Sequence, residues 1–309
     1  MKKPKNNILN TKRQYRGKVS KIQATLQKVL KQIKPTQKEV AREKLIAHKI
    51  IKKIQSIKGK HIGVELAGSI ARQTNLRGDK DIDIFVMFSE ITPISEFEKE
   101  GLRIGKMIFK GHFWEKAYSQ HPYIRGRIDG FEVEIVPSYQ VKSLEHIKSA
   151  VDRTPFHTKY LQEKLKPEQK DQVRLLRQFL KGIKAYGAEI KTSSVPGYVT
   201  ELLVLHYGSF EQAIKAVAEW KENQVIDIEK YYPEQEARKK FDSPLIVVDP
   251  VDKNRNVAAA LSLNQFARFV AASRAFLKKP SMNFFFPKKT KPLSRCSILG
   301  ASSPSVKST

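Results

Sequence analysis

Cysteine is nearly absent from the 309-residue chain, since Cys296 is the only one. A single cysteine excludes a disulfide framework and a zinc site built from several thiolates. No apolar run approaches the roughly 18 residues that a membrane-spanning helix needs, and the basic residues 1–13 are not followed by the apolar core of a signal peptide. These absences predict a soluble, intracellular protein without a membrane partner, and we expect it in the cytoplasm.

Acidic residues are too few to balance the basic ones. The chain has 58 Lys and Arg against 31 Asp and Glu, which gives a formal net charge of +27. A charge of this size attracts polyanions such as nucleic acid. With 40% apolar and 9% aromatic residues, the chain is too hydrophobic for an extended disordered basic protein. We therefore expect a folded protein that binds a polyanion, and a length of 309 residues favours two domains over one.

Composition and periodicity divide the sequence into four segments. Residues 1–36 are a basic arm, which we interpret mainly as a solvated face that could add nonspecific affinity for RNA. Residues 37–143 mix strand-like and helix-like patterns, as in a small α/β domain. Residues 144–287 follow mostly helical periods, and residues 288–309 are rich in Lys, Ser, Pro and Thr, so we expect them to be disordered. Within the arm, a helical spacing is followed by Ile22, Leu26, Val29, Leu30 and Ile33.

Local patterns also predict individual helices and strands. Thr36 and Glu39 have the spacing of a capping box that opens a helix. Strands are predicted at 62–67, 82–88, 123–128, 131–136 and 245–248. Helices are predicted at 95–109 and 264–276, and a further helical pattern includes Val173, Leu176, Phe179, Leu180 and Ile183.

The most informative pattern is a pair of aspartates on one predicted strand. Asp81 and Asp83 share one face, because strand side chains alternate, while the intervening isoleucines pack on the other. Two neighbouring carboxylates repel each other, and a divalent cation such as Mg²⁺ relieves that repulsion. Upstream, a predicted strand runs directly into Gly68 and Ser69, where a tight turn and free amides favour bound phosphate. Arg72, one turn further, adds a cation.

A third carboxylate is available on a later predicted strand, but the pattern does not identify it. Glu132 and Glu134 share a face by the same alternation, and Asp79 is a further candidate. The alternative interpretation is an ordinary edge strand with one solvated face, which has the same alternation as Asp81 and Asp83. The Gly68–Ser69 turn and the second acidic strand together favour a metal site over that alternative.

A series of short segments between residues 65 and 287 supports this interpretation. They are, in order, Gly68–Ser69, Asp81 with Asp83, HPYIRG (121–126), EVEIVPSY (132–139), KSAVDRTPFH (148–157), VRLLRQFLK (173–181), YGAEIK (186–191), GYVTELL (197–203), YGSF (207–210) and VVDPVDKNRNVAAALS (247–262). In this order they resemble the archaeal (class I) CCA-adding enzymes, which are tRNA nucleotidyltransferases of the polymerase-β superfamily. The resemblance implies an α+β fold: a polymerase-β-like nucleotidyltransferase domain, followed by a mainly helical domain like that of poly(A) polymerase and oligoadenylate synthetase.

The resemblance also implies roles for individual residues. The implied metal ligands, for two Mg²⁺ ions, are Asp81, Asp83 and Glu134. The implied triphosphate contacts are Ser69 and Arg72, and further nucleotide contacts are His157, Arg177 and Tyr186. Arg255 corresponds to the arginine with which the family reads the base of the incoming C or A. Taken singly, His157 also fits a surface or capped histidine, Tyr186 an aromatic at the core edge, and Arg255 a solvated loop charge.

The implied reaction is the template-free addition of C, C and A to the 3′ end of tRNA from CTP and ATP, with release of pyrophosphate. The implied partner is tRNA, and a homodimer is compatible with the resemblance. The sequence departs from the family at Glu134, where Asp is usual, and at Arg177, where Lys is usual. It also ends earlier than family members do, so we expect a C-terminally truncated chain. The alternatives are another nucleotidyltransferase of the superfamily, such as a poly(A) polymerase, and a tRNA-binding protein that has lost catalysis.

Overall fold

The structure is a computed structural model, and it describes residues 21–187 and 193–288. Its helices are α1 (21–33), α2 (Gln37–Gln55), α3 (Gly68–Arg72), α4 (Ile94–Ile108), α5 (Arg153–Lys164), α6 (Pro167–Gly182), α7 (Gly197–Tyr207), α8 (Phe210–Glu219), α9 (Glu234–Lys240) and α10 (Leu263–Lys278). Its strands are β1 (His61–Ala67), β2 (Asp81–Ser89), β3 (Trp114–Tyr118), β4 (Pro122–Ile128), β5 (Phe131–Gln140), β6 (Gln224–Ile226) and β7 (Leu245–Val247). Short 3₁₀ turns lie at Leu144–His146, Ala150–Asp152 and Met282–Phe284.

The first half of the chain is built on a five-stranded sheet with the order β1-β2-β5-β4-β3. The β2–β5 pair is parallel and the other pairs are antiparallel. One face of the sheet is covered by α2 and α4, and their apolar side chains form a single buried core with Ile82, Ile84 and Val133. The helix α4 lies so close to the sheet that a Cβ at Gly105 would come within 2.6 Å of Ile124. Since side chains alternate along a strand, the opposite face carries the aspartates of β2.

The second half of the chain is mainly helical and has its own core. That core joins apolar residues of α6, α7, α8 and α10 with those of the short β6–β7 sheet. Aromatic rings fill its centre, and Phe179 lies 5.6 Å from Phe276 and 5.7 Å from Phe210, measured between ring centroids. The two halves together therefore give the expected α+β architecture, a sheet with helices followed by a mainly helical part. Among the described residues, no helix combines the length and the apolar character that a membrane crossing needs.

Most predicted elements are present with bounds shifted by a few residues. The predicted strands correspond to β1, β2, β4, β5 and β7, and the predicted helices correspond to α4, α6 and α10. The Thr36–Glu39 capping box is confirmed, since each residue bonds to the backbone of the other at the start of α2. The strand β3 was not predicted.

The basic arm differs from its interpretation as a mainly solvated face. Residues 21–33 form α1, as the helical spacing predicted, but one side of α1 is buried in the core of the second half. Ile22 and Val29 are 3% and 0% exposed, whereas the lysines of the same helix are exposed. The burial of apolar surface stabilises this part of the arm against the helical domain. Residues 1–20 and the tail expected to be disordered beyond residue 288 lie outside the described residues.

Candidate active site

The sheet register brings Asp83 and Glu134 side by side. Asp83 is paired with Glu134 across the parallel β2–β5 contact, and Asp81 is paired with Glu132 two residues earlier. Both pairs lie on the face opposite the buried Ile82. The register thus puts the aspartates of one strand next to the glutamates of another.

Ion pairs distinguish the candidates for a third carboxylate. Glu132 is bound to Arg127 at 2.9 Å, and both side chains are well exposed. Asp79 is bound to Lys181 at 2.9 Å and lies 3.5 Å from Arg177. Glu134 is partly buried, and its hydrogen-bond partner is the neutral hydroxyl of Tyr123 at 3.3 Å. Of the three, Glu134 is the carboxylate that lies beside Asp83 without a cation bound to it in the described structure.

Burial and mutual repulsion disfavour the ionised forms of Asp81, Asp83 and Glu134. Burial raises the pKa of Asp83, and the charge of Asp81 raises it further. Burial and the charge of Asp79 likewise raise the pKa of Asp81. The pKa of Glu134 rises to about 7, first through burial and then through the charge of Asp83. The cluster therefore holds an excess of negative charge that a cation would relieve.

The three carboxylates Asp81, Asp83 and Glu134 are of the right chemical type to bind a hard divalent cation. Carboxylate oxygens are the ligands that Mg²⁺ prefers, and the pKa values of the three carboxyls are raised because burial and mutual repulsion outweigh the nearby cations. In the described residues, however, no three His, Cys, Asp or Glu side chains are gathered closely enough to hold an ion as they stand. The structure thus places Asp81, Asp83 and Glu134 on one face of the sheet without drawing them into a closed set.

The raised pKa of Glu134 predicts a pH dependence of stability in the metal-free protein. Between about pH 4.5, the ordinary pKa of a glutamate, and pH 7, the folded state binds more protons than the unfolded state. The free energy of unfolding should therefore fall as the pH rises through this window, by about 2 kcal/mol for Glu134. Urea unfolding in EDTA at pH 5 and pH 7.5 measures the change. The Glu134→Gln variant should show a smaller dependence, and an equal dependence would contradict the assignment.

Gly68 lets the backbone pass close to the carboxylate of Asp83. The strand β1 ends at Ala67, and α3 begins at once with Gly68, whose φ is +70°. A Cβ at this position would lie 1.9 Å from the Oδ2 of Asp83, so any larger residue would displace the carboxylate. Ser69 follows on α3 and is partly buried. The predicted phosphate-binding turn is therefore packed directly against the predicted metal ligand.

Arg72 joins the two halves of the protein. Its Nε is 2.9 Å from the Oε1 of Glu201 on α7, and its Nη1 is 3.3 Å from the hydroxyl of Thr158 on α5. The same Glu201 oxygen accepts a 2.5 Å hydrogen bond from Thr74, and the Glu201 side chain is fully buried. The charge of Arg72 also lowers the pKa of Asp83 against the effect of burial. Arg72 is thus a buried cation between the sheet and the helical domain.

Arg177 and Tyr186 are in contact on the helical side. The guanidinium of Arg177 lies 5.4 Å from the ring centroid of Tyr186 and is 3.4 Å from the backbone oxygen of Thr74. The charge of Arg177 acts on both aspartates of β2, and it lowers the pKa of each. Within the described residues the buried Nε of Arg177 has no hydrogen-bond partner. An unpaired buried donor near a carboxylate cluster suits an anionic ligand.

His157 and Arg255 meet at a carboxylate that the sequence did not single out. The Nε2 of His157 is 2.8 Å from the Oδ2 of Asp249, and the Nη1 of Arg255 is 3.0 Å from the same oxygen. The ring of His157 stacks on Tyr198, with centroids 4.0 Å apart. His157, Tyr198 and Arg255 line an open cleft of about 530 Å³. Its walls include polar and aromatic side chains and are suited to a base or ribose.

Three site residues that contact predicted ones were not identified from the sequence. They are Glu201, Asp249 and Tyr198, and they lie in segments that carry the family resemblance, but no role was assigned to them. A signal existed for Glu201, because a single acid in the apolar run of α7 indicates a buried ion pair. Asp249 follows directly after the apolar run 245–248, which is a weaker signal of a buried acid.

Matches to known families agree with this arrangement. Residues 47–157 match the family described as nucleotidyltransferase domain, and residues 171–286 match the one described as tRNA nucleotidyltransferase, second domain. The sheet with its carboxylates is therefore a nucleotidyltransferase domain. The two matches occur in one chain in the order nucleotidyltransferase domain, then second domain of a tRNA nucleotidyltransferase.

Curated relatives of the chain are archaeal. The CCA-adding enzyme of Methanocaldococcus jannaschii is 45% identical over 275 residues, which are 85% of this chain and 61% of that protein. The CCA-adding enzyme of Methanothermobacter thermautotrophicus is 42% identical over 264 residues, 84% of this chain and 57% of that protein. The chain thus spans about three fifths of the length of these relatives.

Solved structures of similar fold include a poly(U) polymerase and an RNA terminal U-transferase. The Cid1 poly(U) polymerase aligns with a TM-score of 0.64 at 16% identity and covers 86% of this chain and 98% of its own. A cytoplasmic RNA terminal U-transferase aligns with a TM-score of 0.62 at 15% identity and covers 85% of this chain and 95% of its own. At this identity the likeness concerns the fold alone, and it confirms the expected polymerase-β-like architecture.

Proposed function

We propose that this chain adds C, C and A to the 3′ end of tRNA, with CTP and ATP as substrates and pyrophosphate as the leaving product. The observation that carries the proposal is the parallel pairing of Asp83 with Glu134 beside Asp81, in a chain 45% identical to a CCA-adding enzyme over 85% of its length. The net charge of +27 supports tRNA as the partner, because phosphate contacts dominate the affinity of proteins for nucleic acids. The cytoplasm as location and a homodimer as assembly belong to the same proposal.

In this proposal Asp81, Asp83 and Glu134 would hold two Mg²⁺ ions, Asp81 and Asp83 for the triphosphate and Glu134 for the tRNA 3′-hydroxyl. Such ions, when bound, stabilise the attacking and leaving oxygens of a phosphoryl displacement. The residues themselves supply position and charge, which phosphoryl transfer needs more than a reactive side chain. Since Asp83 touches the Gly68 turn, a triphosphate held at that turn would lie beside the carboxylates.

The cationic residues are assigned to the nucleotide. Ser69 and Arg72 lie at the turn next to Asp83, and Arg177 acts on the same carboxylates from the helical side. Tyr186 holds the guanidinium of Arg177 from one face. Together with His157 and Arg255 in the neighbouring cleft, these residues would bind phosphates at one end and the ribose and base at the other. We also propose that the functional boundaries fall after residues 36, 143 and 287.

The test is incubation of the 309-residue protein with Mg²⁺ and a tRNA that lacks its CCA end. Each nucleotide is supplied alone and in combination, and the products are sequenced. Ordered addition of C, C and A only when both CTP and ATP are present is the expected result. A homopolymer of one nucleotide would identify another nucleotidyltransferase of the superfamily. Binding of tRNA without extension would identify an RNA-binding protein that has lost catalysis.

The Glu134→Asp variant tests the third carboxylate. The family that the chain resembles usually has Asp here, so we expect the variant to keep or raise the rate of extension. The side chain would be one methylene shorter and would lose its 3.3 Å hydrogen bond with Tyr123. Tyr123→Phe is the matched control, because it removes the same hydrogen bond and keeps Glu134. A large loss of rate in Glu134→Asp alone would show that Glu134 does not take the place of the family's aspartate.

A further inference from the structure

The loop at residues 249–256 contains a buried carboxylate that organises the cleft wall. Asp249 is 0% exposed and accepts three side-chain or backbone hydrogen bonds through its two oxygens. Oδ2 accepts from His157 at 2.8 Å and from Arg255 at 3.0 Å, and Oδ1 accepts from the backbone N–H of Val251 at 3.1 Å. One side chain therefore binds two residues that come from distant parts of the sequence.

Both side-chain partners of Asp249 face the cleft. His157 and Arg255 line it together with Tyr198, whose ring stacks on His157. The side chain of Arg255 is 39% exposed, so part of its guanidinium is available to a ligand while one nitrogen is bound to Asp249. Asp249 itself has no exposed surface, so it acts on a ligand only through His157 and Arg255.

We propose that Asp249 is a positioning residue for the nucleotide site, and that it holds His157 and Arg255 in the orientation in which they contact the incoming CTP or ATP. This inference rests on the proposed function, because it takes the cleft as the part of the site that receives the nucleotide. A contact prepared before binding costs less conformational entropy on binding, so Asp249 raises the affinity for the nucleotide.

The hydrogen bond between Asp249 and His157 determines the protonation state of each. Burial alone would raise the pKa of Asp249, but the hydrogen bond and charge of His157 and the charge of Arg255 lower it, so the carboxylate is ionised and accepts only. The Nε2 of His157 must then carry a hydrogen. Burial lowers the pKa of His157, Asp249 raises it, and the charges of Arg255 and Arg72 lower it again.

The Asp249→Asn variant is the direct test. An amide has a single oxygen, so at least one of the three donors loses its acceptor, while the shape of the side chain is kept. We expect the dissociation constants for ATP and CTP, measured by calorimetry with Mg²⁺ on the 309-residue chain, to rise about tenfold, as for a lost hydrogen bond to a charged group. The pKa of His157, followed by NMR, should fall further because Asp249 no longer raises it.

Asp252→Asn is the matched control from the same loop. Asp252 also uses both oxygens, toward Arg153 at 2.9 Å and the backbone N–H of Asn254 at 3.1 Å. Its side-chain partner Arg153 does not line the cleft, and its bond to the cleft residue Asn254 involves only the backbone N–H. We expect this variant to bind both nucleotides within about twofold of the unchanged protein, because the Asp252 side chain is bound to neither His157 nor Arg255. An equal weakening in both variants would overturn the positioning role of Asp249.

The remaining outcomes separate this inference from the proposed function. Unchanged nucleotide affinity in a folded Asp249→Asn variant would overturn the inference and leave the function intact. Failure of the unchanged protein to bind ATP or CTP would overturn the proposed function and the inference with it. Should Asp249→Asn not fold, ¹⁵N shifts of His157 in the unchanged protein decide: a hydrogen on Nε2 supports the inference, and a neutral ring with its hydrogen on Nδ1 overturns it.

Discussion

Replacing Asp83 by asparagine is expected to abolish nucleotide addition while leaving tRNA affinity nearly unchanged. Asp83 lies at the centre of the carboxylate cluster, between Ala67 of β1 and Glu134 of β5, and the amide cannot supply a second anionic oxygen to a cation. Loss of the charge stabilisation that a metal ion provides is worth several kcal/mol, so the rate of extension should fall at least about 100-fold. Single-turnover extension of tRNA lacking CCA measures this rate.

Glu132→Gln is the control for the Asp83 variant. Glu132 is on the neighbouring strand and shares the same face, but it is exposed and bound to Arg127. We expect extension by this variant to stay within a few-fold of the unchanged protein. Filter binding of labelled tRNA, carried out on both variants, separates chemistry from RNA affinity. Substantial turnover by Asp83→Asn would refute the assignment of this residue to the metal site.

Of the substitutions proposed for this protein, Glu201→Ala is expected to lower the free energy of unfolding the most. The Glu201→Ala variant leaves the Arg72 guanidinium buried without its 2.9 Å partner, and Thr74 loses its acceptor as well. Breaking a buried ion pair from one side typically costs about 3–5 kcal/mol, because the remaining charge is not solvated. Urea unfolding followed by circular dichroism measures the difference.

An exposed ion pair offers the comparison for Glu201. Glu132→Ala removes the partner of Arg127, and those two side chains are 60% and 72% exposed. Exposed pairs contribute about 0–1 kcal/mol, so this variant should unfold almost as the unchanged protein does. If Glu201→Ala were no less stable than Glu132→Ala, then Arg72 would gain enough solvent or another partner, and the description of a buried link between the two halves would be wrong.

Local patterns predicted most of the secondary structure because each strand and helix is encoded by neighbouring residues. The alternation of Asp81 and Asp83 with isoleucines predicted which face of β2 would be buried, and Ile82 and Ile84 are indeed 0% exposed. The strand β3 escaped prediction since its five residues are mostly exposed and show no apolar alternation. As an edge strand it depends on pairing with β4 rather than on burial.

The basic arm also shows what local sequence patterns do not predict. Its apolar spacing correctly predicted a helix at 21–33, but a spacing does not reveal what covers the apolar side. The structure buries Ile22 and Val29 in the core of the helical domain, more than one hundred residues away in sequence from the α6 side chains they join. The arm was therefore interpreted as solvated although one of its faces is part of a core.

The amino-acid sequence alone determined the alternation of the aspartates, the excess of basic charge and the order of motifs that resemble a tRNA nucleotidyltransferase. Only the tertiary structure decided that Glu134 lies beside Asp83, that Arg72 is bound to Glu201 and that Asp249 joins His157 to Arg255. The physical reason is distance along the chain. Arg72 and Glu201 are 129 residues apart, and a pairing over such a separation depends on the path of the whole backbone rather than on local preference.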